Sequence, residues 1–157
     1  VWAAGYNGYG QLGQGNTTAL NTYTEMKFRL LQSDGTYANQ TLSSASYPFT
    51  VTQAMFAGGS QYQTSAVVTS EGKVWVCGYN GNGQVGVGQT GNNYQVFYEV
   101  YGLPGKVVSI SNHGQSSEGG WAALLEDGQL FMWGYGGSYA IPEDDGHSFY
   151  TPKLVLF

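Results

Sequence analysis

Apolar residues in this protein occur in short runs, each stopped by a polar, Gly-rich segment. Val1-Trp2-Ala3-Ala4, Ala54-Met55-Phe56-Ala57, Val74-Trp75-Val76-Cys77, Trp121-Ala122-Ala123-Leu124-Leu125 and Leu130-Phe131-Met132-Trp133 are the clearest. No window sustains the 3.6-residue period of an amphipathic helix, whereas runs of this length bounded by Gly predict strands. Several are apolar at successive positions, so they are expected to be covered on both faces. Glu71-Gly72 and Asp127-Gly128 fall between such runs, where a two-residue hairpin turn is expected because Gly accepts positive φ. The predicted fold class is all-β.

The runs are organised by a repeat. Val1-Trp2-Ala3-Ala4-Gly5-Tyr6-Asn7-Gly8-Tyr9-Gly10-Gln11-Leu12-Gly13 returns 73 residues later as Val74-Trp75-Val76-Cys77-Gly78-Tyr79-Asn80-Gly81-Asn82-Gly83-Gln84-Val85-Gly86, with nine of thirteen positions identical. A third, weaker copy, Leu130-Phe131-Met132-Trp133-Gly134-Tyr135-Gly136-Gly137, follows 56 residues on. Upstream segments match as well: Ala66-Val67-Val68 leading to Glu71-Gly72-Lys73 parallels Ala123-Leu124-Leu125 leading to Asp127-Gly128-Gln129. Such a period, made of strands and Gly turns, points to a propeller.

These motifs resemble the regulator of chromosome condensation repeat, with Thr151-Pro152 similar to the Thr-Pro segment that follows the Gly-rich motif there. The resemblance is strongest over residues 53–90, good over 1–15 and degraded over 134–157, and leaves out about 16–52. It implies β-propeller blades, incomplete in this chain at about two and a half to three repeats. The expected organisation is one partial propeller domain over 1–157, with repeat motifs at 1–15, 53–90 and 107–137. A closed propeller needs about four blades or more, so the sequence is expected to be part of a longer polypeptide or a homo-oligomer closing a ring between copies.

The first repeat exceeds the second by 17 residues, and the surplus falls within about 16–49. There, Tyr23 to Leu31 alternates apolar and polar residues, Ser33-Asp34-Gly35-Thr36 supplies a turn and Tyr37 to Leu42 can return. An inserted β-hairpin is expected, and insertions on repeat scaffolds often carry recognition.

Composition narrows the function. Only 10% of residues are charged, and five Lys and Arg cannot build a phosphate-binding stripe, which argues against a nucleic-acid partner. No apolar run approaches the roughly 20 residues of a membrane-spanning helix, so no membrane insertion is expected. The two G-x-G-x-x-G matches, at Gly8–Gly13 and Gly81–Gly86, lack the following helix that would receive a pyrophosphate. Cys77, the single cysteine, sits in an apolar run and reads as a small buried hydrophobe. His113 and scattered Ser residues form no nucleophile–base–orienter set, and no enzyme activity is expected. Glu143-Asp144-Asp145 reads as a solvated acidic turn; Asp144 and Asp145 are the only candidate ligands for a metal, and Ca²⁺ is the cation such carboxylates would suit.

The 13 tyrosines among neutral polar residues suit a rigid binding surface. Tyr9, Tyr23, Tyr37, Tyr94 and Tyr139 are the candidate ligand-binding residues. This neutral, Tyr-rich texture resembles bacteriophage tail fibres and surface adhesins. It leads to the expectation of an extracellular or virion module, non-catalytic, binding a cell-surface glycan or protein. The alternative is a cytoplasmic propeller scaffold or small-GTPase exchange factor, as the repeat resemblance implies.

Overall fold

The computed structural model describes residues 1–44, 49–57, 62–113, 119–136 and 147–156, and its elements are all strands. β5 (Val51–Ala57), β6 (Thr64–Thr69), β7 (Val74–Gly78) and β8 (Tyr94–Glu99) lie side by side as one antiparallel blade. β9 (Val107–His113), β10 (Gly120–Leu125), β11 (Leu130–Gly134) and β12 (Phe149–Leu154) repeat it. β1 (Trp2–Gly5) and β2 (Leu20–Glu25) form the outer half of a preceding blade. The 73-residue repeat is thus a repeat of the third strand and the loop after it.

Successive residues of a strand face opposite ways, and the core divides accordingly. Ala66, Val68, Val74 and Val76 pack towards the β9–β12 blade, against Ile110, Trp121, Ala123 and Trp133. Val67, Trp75 and Cys77 point the other way, into a cluster with Ala3, Leu12, Met26 and Phe28. Every position of β6 and β7 is buried because a blade stands on each side. Trp2, the counterpart of Trp75, is paired only with β2 among the described residues and is 61% exposed against 6%.

The β6–β7 turn is one residue longer than the sequence suggests. Gly72 N–H donates to Thr69 O and Thr69 N–H to Lys73 O, each at 2.9 Å, so Ser70-Glu71-Gly72 makes a turn closed by Gly72 at φ 77°. Asp127-Gly128 repeats it, with φ 88° at Gly128. Three-residue hairpins place Gly in the left-handed region at their last position, which is why the acidic-Gly pair recurs.

The Gly-rich loops join blade to blade. Asn80 Oδ1 accepts from Val85 N–H at 2.9 Å and its Nδ2 donates to Gln89 O at 2.9 Å. Asn7 does the same for Leu12 N–H at 2.8 Å and Asn16 O at 3.0 Å. Both amides are fully buried. Folded this way, each loop lies along the outer strand of the next blade: Gly15 N–H donates to Gln95 O at 2.7 Å and Gly88 N–H to Tyr150 O at 2.8 Å. The approach is close enough that a Cβ on Gly10 would stand 2.6 Å from Gln95 Cα, and one on Gly83 2.8 Å from Tyr150 Cα. Trp133 Nε1–H reaches back to Gln84 O at 3.0 Å, and Ser65 Oγ–H to Gln11 O at 2.6 Å.

The region between residues 16 and 49 departs from the expected single hairpin. Residues 20–31 are not one strand: β2 ends at Glu25, and β3 (Lys27–Leu31) leaves for the neighbouring sheet, where it pairs with β4 (Tyr37–Thr41). Met26 makes the break. It is fully buried, and its N–H donates to Val1 O at 2.9 Å, as Val100 N–H does to Val74 O. Tyr23 therefore belongs to the first blade, and the insertion proper is β3–β4.

Asn80→Ala leaves the Val85 N–H without its acceptor, a loss of about 1–3 kcal/mol. At about 2–4 °C per kcal/mol for a protein of this size, the unfolding midpoint is expected to fall by several degrees. Asn92→Ala, at an exposed loop position, serves as the control in the same calorimetric comparison; equal midpoints would show that the buried amide does not hold the loop.

Candidate functional site

The β3–β4 hairpin is closed by the same kind of turn as the blades. Gln32 N–H donates to Thr36 O at 2.7 Å and Gly35, at φ 82°, follows Asp34. Asp34 Oδ1 accepts from Thr36 N–H at 2.9 Å and Thr36 Oγ1–H at 2.7 Å, and these bonds hold its carboxyl below the usual range. At the other end Glu25 accepts from Ser43 N–H at 3.0 Å and from the Ser43 hydroxyl, tying the hairpin to the end of β2.

Alternation along β3 gives the hairpin two faces. Phe28 and Leu30 are buried; Phe28 stacks on Phe97 with centroids 4.7 Å apart and meets Trp75 edge-on at 5.7 Å. One parallel bridge, Phe28 to Phe97, joins β3 to β8, so the second blade becomes a six-stranded sheet ending in β4. Arg29 lies on the opposite face of β3. Its guanidinium carbon stands 4.2 Å from the Tyr37 ring centroid and 5.1 Å from that of Tyr98, and Tyr94 meets Tyr98 at 4.6 Å. Between hairpin and blade lies a cavity of about 320 Å³ lined by Arg29, Tyr37, Tyr98, Tyr101 and Trp75. Lys73 and Glu99 form an ion pair at its wall, 3.0 Å apart.

A second aromatic group sits where the first and second Gly-rich loops meet. Tyr9 lies 6.3 Å from Tyr6 and 5.6 Å from both Tyr62 and Tyr79, and Tyr62 lies 4.5 Å from Tyr79. Tyr62 adopts a left-handed φ of 61°. Burial, followed by the neighbouring Tyr62 and Tyr9, raises the Tyr79 phenol above its ordinary pKa. Burial likewise raises Tyr94, ahead of Tyr98 and Tyr101.

The four described tyrosines among the five singled out by sequence are therefore not one site. Tyr37 and Tyr94 share the Arg29 cluster, Tyr9 belongs to the loop cluster, and Tyr23 stands apart, 78% exposed, on a shallow surface with Trp2, Tyr6 and Phe56. Tyr139, Asp144 and Asp145 lie outside the described residues. Arg29, Tyr98 and Trp75 escape a sequence reading because the pairing of β3 with β8, segments far apart in the chain, brings Arg29 beside the blade. The one local signal is the alternation that puts Arg29 on the face opposite Phe28.

Among the described residues no three His, Cys, Asp or Glu side chains converge on a metal-sized site. Cys77 is fully buried, and burial pushes its thiol far above the reactive range. His113 ends β9 with Nε2 3.3 Å from Trp133 O, and burial lowers its pKa. The G-x-G-x-x-G backbone is used in turns, Gly10 N–H to Asn7 O and Gly13 N–H to Gly10 O.

The four-strand blades joined through Gly-rich loops are matched in other proteins. The profile of the regulator of chromosome condensation (RCC1) repeat matches residues 62–84, from β6 through the Gly-Tyr-Asn turn. Yeast RCC1 (Prp20), solved with Kap60 bound, superposes with a TM-score of 0.66 over 99% of this chain and 32% of its own, at 14% identity. One stretch of the chain therefore matches the regulator of chromosome condensation repeat in sequence, and the chain as a whole has the fold of these propellers. Human WBSCR16 has the same fold, with a TM-score of 0.63, 20% identity, and 99% and 34% of the two chains covered. In sequence, the mouse X-linked retinitis pigmentosa GTPase regulator is 33% identical over 89 residues, 57% of this chain and 9% of that protein. The sequence thus spans about a third of these solved propellers and a small part of the mouse relative, and its blades are an incomplete propeller of this repeat type.

Because the folded state holds the Tyr79 proton more tightly than the unfolded state does, this residue's contribution to stability is present below the ordinary tyrosine pKa of about 10. It is lost as pH rises through the raised folded value. Urea midpoints between pH 8 and 11 are expected to fall more steeply for the wild type than for Tyr79→Phe. Parallel slopes would mean that the tyrosine cluster does not disfavour the phenolate.

Proposed function

We propose that this protein is a non-catalytic interaction module, a stretch of intracellular propeller scaffold that offers the β3–β4 hairpin and the cavity beneath it to a protein partner. The observation that carries the reading is the Arg29 guanidinium held between Tyr37 and Tyr98 at the outer edge of a blade. Arg and Tyr are the residues that concentrate binding energy at interfaces, and here they stand on an addition to the repeat.

Support for a protein partner comes also from the relatives: the mouse protein is named as a GTPase regulator and the yeast propeller binds Kap60. Regulation of a small GTPase is the narrower form of the same reading. The alternative of an extracellular or virion fibre module binding a surface glycan rests on the neutral, Tyr-rich composition alone, since the similar proteins come from mouse, human and yeast.

A photo-crosslinking amino acid placed at Tyr37, in the full protein within the cell that makes it, tests the reading. Protein crosslinks are expected at Tyr37, weakened by Arg29→Ala, and not at the exposed Tyr150 of the next blade. Crosslinks at Tyr150 alone, or none at Tyr37 with glycan-array binding instead, would overturn it. Acceleration of nucleotide release from a panel of small GTPases would establish the narrower form.

A further inference from the structure

Arg29 is set apart from the other cation of the cavity wall by how its charge is used. Lys73 is neutralised by Glu99 at 3.0 Å. Arg29 makes no ion pair or side-chain hydrogen bond among the described residues; its contacts are the faces of Tyr37 and Tyr98. A guanidinium held over ring faces and without a hydrogen-bond partner keeps its N–H donors for a ligand, and their fork matches the two oxygens of a planar carboxylate. Contact with two rings also restricts a flexible side chain before anything binds, which reduces the entropic cost of binding.

The walls set the charge of the ligand. Glu71 and Glu99 both line the cavity; with Lys73 paired to Glu99, Arg29 is left as the cation and Glu71 as the carboxylate without an ion pair among the described residues. A ligand carboxylate can meet Arg29 directly, whereas the second charge of a phosphate dianion would face the two wall carboxylates. Trp75 is more than nine-tenths buried, and its indole Nε1–H is buried without an acceptor among the described residues. Its ring lines the cavity, and its Nε1–H serves as a reporter of occupancy there. At about 320 Å³ the space is at the small end of ligand cavities, roughly 300–1,000 Å³, which suits one residue of a peptide.

We infer that the cavity between the β3–β4 hairpin and the second blade is a receptor for one peptide carboxylate of the partner protein, taken by the in-plane edge of Arg29 between Tyr37 and Tyr98. This deepens the protein-docking reading and rests on it for the identity of the ligand's source. The carboxylate belongs to an Asp or Glu side chain or to the C-terminal end of the partner polypeptide.

NMR titration of the intact protein separates these. The probes are N-acetyl-aspartate N-methylamide for the side chain, N-acetylalanine for the C-terminus, N-acetyl-asparagine N-methylamide as the neutral isostere, and inorganic phosphate. One carboxylate probe is expected to shift the Arg29 Nε–H and Trp75 Nε1–H signals, binding at least about tenfold more tightly than the asparagine amide. Arg29→Gln, with its other resonances unchanged, should abolish the effect, and Arg29→Lys should retain a weakened form. The tighter of the two carboxylate probes identifies the source. Equal binding of the neutral amide, undiminished binding to Arg29→Gln, tightest binding by phosphate, or no shift at all would each overturn the inference. No partner protein is needed, so failure here leaves the crosslinking result standing, and absence of a crosslink leaves a positive titration intact.

Discussion

A side-chain amide with no access to water has to find its partners within the protein, and this constraint organises the fold. Asn7 and Asn80 each give a carbonyl to a backbone N–H five residues ahead and a donor to the far side of the same loop. The loop is thereby curled into one shape, and only that shape carries Gly15 and Gly88 onto the outer strand of the next blade. Strands such as β6 and β7, buried along their whole length, have no exposed face to fall back on. Blade and neighbour are stable together because the amides hold the loop that joins them.

The inserted hairpin is fixed by a different force. Only one backbone bridge ties β3 to β8, and the attachment is made by Phe28 lying on Phe97 and against Trp75. Alternation then does the rest, since burying Phe28 turns Arg29 to the other face, where Tyr37 from the hairpin and Tyr98 from the blade meet it. Packing on one face of a strand sets out the recognition chemistry on the other.

The blades are legible in sequence because the repeated Gly-Tyr-Asn turn and the acidic-Gly turn make the same backbone demands in each copy. The break at Met26 is not legible: Tyr23 to Leu31 alternates without a Gly or Pro to interrupt it, and the backbone moves to another sheet through the burial of one Met. The turn at Ser70-Glu71-Gly72 reads one residue short in sequence, since a Gly at the end of a three-residue turn and a Gly inside a two-residue turn look alike. Of the candidate site, Tyr37 and Tyr94 are visible as exposed-type residues, but Arg29 and Tyr98 acquire their meaning through a parallel contact between segments about 70 residues apart. The four tyrosines of the loop cluster are brought together in the same non-local way, with Tyr9 standing where the second copy of the motif has Asn82.

The manner in which β3 meets β8 has a consequence for how such a protein can change over time. A segment attached mainly through Phe28 and its aromatic neighbours, with the Glu25–Ser43 tie at its base, places few demands on the outer part of the hairpin, so residues 31 to 41 can change with little effect on the blades. The blades and the hairpin are held by different contacts, so the hairpin is the part whose specificity can be altered with the blades left in place.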